Sequence, residues 1–176
     1  MYNQVTTLCI GAYNICIYLK VVIVMLREAN AMAKVQGSES YPEINGSVLF
    51  YQTDYGVIVA AQIYGLPVSK EKCHNPVFGF HIHEGEKCEG NSSDHFADAM
   101  LHYNPEKCLH PYHAGDMPPL FGNEGYAFQM FLTDRFKVDD VIGRTVIIHD
   151  KPDDFTTQPS GNSGEKIACG IINRIK

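Results

Sequence analysis

A chain of 176 residues has room for one domain with a substantial core. Its 45% hydrophobic and 19% charged residues are globular proportions and exclude a disordered chain. A formal net charge of −6, with no basic cluster, argues against nucleic-acid binding.

Residues 1–28 differ in texture from the rest. The run 8–26 is rich in apolar and β-branched residues but carries Asn14 and Lys20, so it falls short of a membrane-spanning helix. The first four residues hold no Lys or Arg, unlike a signal peptide. An A-x-A triplet at 29–31 keeps export open. Residues 1–28 are therefore expected outside the domain, as an extension with Met25 as the start or as an apolar tail. Membrane contact follows only if this leader is an anchor. The compartment stays open between cytoplasmic, secreted and anchored. The domain is expected over 29–176.

From 29 onward the pattern is all-β. Strands are expected at 31–36, 44–53 and 56–64, the last two joined by a turn at 54–56. Gly65 and Pro67 break the third strand. A strand at 77–84 follows. Residues 85–121 show no sustained period, and a loop that long inside a compact domain is usually functional. Strands return at 125–133 and 144–149, a second polar loop covers 150–165, and a strand at 166–175 closes the chain. Several short strands with two long loops predict a β-sandwich or Greek-key β-barrel.

The histidines are the chemical signal. His81 and His83 flank Ile82, so on a strand both imidazoles share one face. His102, His110, His113 and Asp116 lie together in the first long loop, a donor set suited to tetrahedral zinc. His149 ends a strand and can reach back to His81 and His83. Imidazole-rich sites without thiolate suit copper as well as zinc. Metal binding would also order a loop that has little apolar periodicity. His74 and His95 fit neither group and read as loop histidines. Six cysteines include no C-x-x-C pair, which argues against a cysteine-rich zinc finger. Cys73 and Cys108 are either free thiols or a second disulfide.

Five segments carry a resemblance. GFHIHE at 79–84, HYNP at 102–105, HAGD at 113–116, GRTVIIH at 143–149 and GNSGEKIACG at 161–170 resemble, in order and spacing, the copper/zinc superoxide dismutase family. The resemblance implies a Greek-key barrel with a metal-binding loop and an electrostatic loop. It implies copper on His81, His83, His102 and His149, and zinc on His102, His110, His113 and Asp116, with His102 bridging. His102 would act as ligand and as acid/base. Asp153 would hydrogen-bond one copper ligand and one zinc ligand. Cys88 and Cys169 would form a disulfide. The implied activity is superoxide dismutation, with copper changing oxidation state and zinc keeping one. The rival is a non-enzymatic or weakly active metal-binding domain of the same fold.

The resemblance also places a cation beside copper to guide the small anion superoxide. The family has arginine there; this chain has Lys166, preceded by Glu165. Lysine keeps the charge but lacks the planar fork of guanidinium, so weaker docking is expected. The family includes monomers and dimers, so a homodimer is one expected state.

Overall fold

The structure is a computed structural model that describes residues 28–71, 73 and 76–175. The expectations for residues 1–27 and for His74 lie outside the described residues. Alternation builds the first strands. In β1 (Ala31–Gly37), Ala31, Ala33 and Val35 point inward while Met32, Lys34 and Gln36 face out. This is the period of two that a half-buried strand requires. In β2 (Asn45–Thr53), Val48 and Phe50 are buried. In β3 (Gly56–Tyr64), Val57, Val59, Ala61 and Ile63 join them. Asp54 and Tyr55 close the hairpin, with Thr53 paired to Gly56.

The other strands are β4 (Val77–Phe78), β5 (Phe80–His83), β6 (Leu120–Phe121), β7 (Ala127–Thr133), β8 (Thr145–His149) and β9 (Lys166–Arg174). Seven strands form one antiparallel sheet in the order β5-β8-β9-β1-β2-β3-β7, and β4 pairs with β6. Neighbours distant in sequence, such as β9 beside β1 and β7 beside β3, give the sheet its Greek-key character. It curls around one core that includes Phe50, Phe78, Phe80, Ile82 and Leu120. Each such side chain, taken fully out of water, contributes about 1.5–3 kcal/mol. This is the all-β fold expected from the sequence.

Two expectations need correction. The strand expected at 77–84 is broken at Gly79. The Gly79 N–H donates to the Lys151 carbonyl and its own carbonyl accepts from the His149 N–H. The chain thereby leaves the β4–β6 pair and enters the main sheet as β5. The segment 85–121, expected without regular structure, contains a 3-10 turn at Ala97–Ala99 and ends in β6. Both elements are too short for periodicity to register. Cys88 and Cys169 form a disulfide, whereas Cys73 and Cys108 are free and exposed. Among the described residues no helix is long and apolar enough to cross a membrane.

Candidate metal centre

The centre starts from the pleat of β5. Ile82 enters the core, and His81 and His83 project to the opposite face. One edge of β5 pairs with β8. The other edge takes two pieces of the long loop. The Tyr103 N–H donates to the Ile82 carbonyl at 2.8 Å, and the Ile82 N–H donates to the Gly115 carbonyl at 2.9 Å. This bridging sets His102 opposite His83 and Asp116 opposite His81. Gly115 permits the close approach, because a Cβ there would meet the Ile82 carbonyl oxygen. His149 arrives at the end of β8, where the register with β9 shifts between Ile148 and His149. Such an irregularity re-aims a side chain.

Two groups result: His81, His83, His102 and His149; and His102, His110, His113 and Asp116. Within each group the donor atoms lie within 4.8 Å of one another, and every member is buried. His102 belongs to both. The structure thus brings together every residue expected as a ligand.

Hydrogen bonds decide which nitrogen of each ring faces the group. His83 Nδ1 lies 2.9 Å from the Met100 carbonyl, and His149 Nδ1 lies 3.3 Å from the Gly164 carbonyl. Both then donate from Nδ1, so their Nε2 atoms, 3.3 Å apart, face each other as lone pairs. A cation between them relieves that repulsion. Asp153 holds two further rings from behind: Oδ2 is 2.7 Å from His81 Nε2 and Oδ1 is 2.9 Å from His110 Nε2. His102 Nδ1 is 2.7 Å from Asp116 Oδ1. The nitrogens left without a well-directed hydrogen bond are His81 Nδ1, His102 Nε2, His110 Nδ1 and His113 Nδ1, the last two lying 3.1 and 3.4 Å from the Asp116 carboxylate. Buried polar atoms are rarely left unpaired, and here four converge on two points. That pattern fits two metal ions bound by nitrogen and carboxylate.

Electrostatics point the same way. Burial, then the neighbouring imidazoles, push His81 and His83 well below the ordinary histidine range. Burial lowers His149 to about 4 and also lowers His113. Burial pulls Asp116 upward, but the His102 hydrogen bond and the neighbouring imidazoles of His102, His110 and His113 outweigh it and hold the carboxyl below its usual range. Neutral His81, His83, His113 and His149 near an ionised Asp116 are the protonation state that metal binding needs.

Lys166 opens β9 and lines the pocket above His83, His102 and His149. Its ammonium is not free: Nζ donates to Asp94 Oδ2 at 2.7 Å and to the Phe96 carbonyl at 3.0 Å. His95 stands 3.4 Å from Ser40 Oγ and belongs to neither ligand group. Sequence reasoning missed Asp94, which lies in a stretch without period. It also missed Arg135, whose Nη1 donates to the carbonyls of Pro111, His113 and Asp116 and so ties down the loop of the second group. In the sequence Gly161 stands out only as part of the GNSGEKIACG motif. Its φ of +67° and its contact with the Asp153 carboxylate, where a Cβ would sit, explain why glycine stands there.

Comparison with known proteins follows the geometry. Residues 44–172 match the family described as copper/zinc superoxide dismutase (SODC). Superoxide dismutase (Cu-Zn) of Legionella pneumophila is 36% identical over 139 residues, covering 74% of this chain and 79% of that protein. The extracellular superoxide dismutase (Cu-Zn) of Drosophila melanogaster is 34% identical over 149 residues, covering 74% and 76%. The crystal structure of a double mutant of a SOD-like protein from Bacillus subtilis matches with a TM-score of 0.65 and 28% identity, covering 80% of this chain and 95% of that chain. The matched stretch contains both ligand groups and both linked cysteines. On sequence, fold and donor set together, the chain belongs to the copper/zinc superoxide dismutase family.

Proposed function

We propose that His81, His83, His102 and His149 hold copper, that His102, His110, His113 and Asp116 hold zinc, and that the protein uses the pair to dismute superoxide. The observation that carries this is His102, shared by both groups, with Nδ1 at Asp116 and Nε2 unpaired. When bound, copper supplies one-electron redox chemistry and zinc a charge of fixed oxidation state. The overall balance is two superoxide ions and two protons giving one oxygen and one hydrogen peroxide.

The chain's own residues set the conditions. Asp153 orients one ring of each group with a single carboxylate. The Met100 and Gly164 carbonyls fix the tautomers of His83 and His149. His102 Nε2 is a site where a proton can be held next to the pocket while Nδ1 stays tied to the zinc side. Lys166 supplies a positive donor on the pocket wall for a small anion. The relatives' activity favours the enzyme over a non-enzymatic domain of the same fold.

Metal analysis and superoxide decay test this together. Purified protein should carry about one copper and one zinc per chain, and should remove superoxide faster than the same metals free in buffer. Zinc alone, or decay at the free-metal rate, would contradict the reading. For assembly we infer a homodimer, supported by Phe128 and Leu132, which stand exposed on the outer face of the edge strand β7. Sedimentation at a single-chain mass across concentrations would contradict it. Contact with a membrane is proposed only if residues 1–28 act as an anchor.

A further inference from the structure

Lys166 and Asp94 meet across a long stretch of chain. The lysine side chain is only 14% exposed, and the Nζ to Oδ2 distance is 2.7 Å. Asp94 is itself held: its Oδ1 accepts the Phe96 N–H at 3.0 Å, and its carbonyl accepts the N–H groups of Asn91 and Ala97. Phe96 packs with Ala99, Ile147 and Cys169, next to the Cys88–Cys169 disulfide. The loop that presents the carboxylate is therefore anchored to β9, the strand that presents the ammonium. Both side chains line the pocket over His83, His102 and His149, and Glu165 adds another negative charge to its wall.

A lone ammonium at a pocket mouth draws anions from a distance. Paired with Asp94 and the Phe96 carbonyl it keeps one of its three N–H donors for an anion, but its field falls off as that of a dipole. Burial pulls the Asp94 carboxyl upward, but the Lys166 hydrogen bond, the Phe96 N–H and the Lys166 charge together hold it below its usual range. Asp94 is therefore ionised at neutral pH.

We propose that Asp94 is a positioning residue for Lys166. It fixes the ammonium on the pocket wall and offsets its charge, so that anion capture depends on a local donor and not on long-range attraction. This rests on the reading of the pocket as the approach to copper. It goes beyond a structural clip, because a clip alone would leave the response to salt unchanged.

The test uses metal-loaded protein and two readouts. Acetylation of Lys166 by an amine-reactive reagent is followed by mass spectrometry. Azide binding to the copper is titrated by absorption at low and high salt. In the native protein Lys166 should label slowly, and azide affinity should vary little with salt. In Asp94→Asn, Lys166 labelling should rise several-fold. Azide should bind about two- to five-fold tighter at low salt, with the gain lost at high salt. Asp94→Glu should behave as native. Unchanged labelling and an unchanged salt response in Asp94→Asn overturn the proposal, as does weaker azide binding at low salt. If that variant does not fold, Lys166→Gln serves instead. It leaves Asp94 as an unpaired negative charge, so azide should bind more weakly at low salt and recover with salt; no salt response there also overturns the proposal. Native protein that binds no azide would instead refute the copper reading, while the labelling contrast still judges Asp94.

Discussion

Asp153 does with one carboxylate what two separate residues would otherwise have to do: it grips His81 and His110 from behind, one ring in each group. Replacing it by Asn keeps the shape but removes an acceptor and the charge. Asp153→Asn should lower metal affinity about 10- to 100-fold, read by competition with a chelator; native affinity would show that the rings orient themselves. The buried rings also predict a response to acid. In the metal-free protein His149 is lowered to about 4 from 6.5, and His81, His83 and His113 shift the same way. The unfolded chain takes up protons on these rings before the folded chain does. Their contribution to stability is thus complete above the ordinary histidine value and is lost as pH falls from there towards the folded value. Urea denaturation of metal-free protein should show a lower midpoint at about pH 5 than at pH 7; equal midpoints would contradict the buried neutral rings. At this scale the ligand histidines were legible because their chemistry is rare and their spacing tight. Asp94 was not, because one aspartate in a polar loop carries no mark of the lysine it will meet.

At the scale of elements, the loop of the first long connection is fastened at several points. The Cys88–Cys169 disulfide spans a sequence separation of 81 residues. In the chain-entropy estimate a loop of that length is worth about 4.5 kcal/mol, and measured losses run at about 2–5 kcal/mol. Cys88→Ser should destabilise the protein by an amount in that range in thermal or urea unfolding; a loss well below it would mean that the loop is held by the metals alone. Arg135 fastens the loop that would hold zinc through three backbone carbonyls. Arg135→Ala should weaken zinc binding about ten-fold with less effect on copper, measured by the same chelator competition. Strands β1, β2, β3, β7, β8 and β9 could be read from alternation and apolar runs, with ends off by a residue or two. The two-residue strands β4 and β6 could not. Their pairing depends on Gly79 redirecting the chain, a tertiary event that leaves no period behind.

Across the whole molecule, a curled sheet presents one strand edge to a loop, and that contact assembles the centre. The barrel was legible because several short strands between turn residues admit few other arrangements. The positions of Tyr103 and Gly115 on the free edge of β5 were not, since backbone pairing is blind to side-chain type. We infer that residues 1–24 take no part in this centre. Their deletion should leave metal content and superoxide decay unchanged, and loss of soluble, metal-loaded protein would contradict that. The central proposal is that one imidazole, His102, would connect two ions through its opposite nitrogens. Loading both groups with Cu(II) and recording the electron paramagnetic resonance spectrum at low temperature tests it directly. Exchange through a shared ring should abolish most of the ordinary Cu(II) signal. A spectrum with the full intensity of two independent Cu(II) ions would contradict the account.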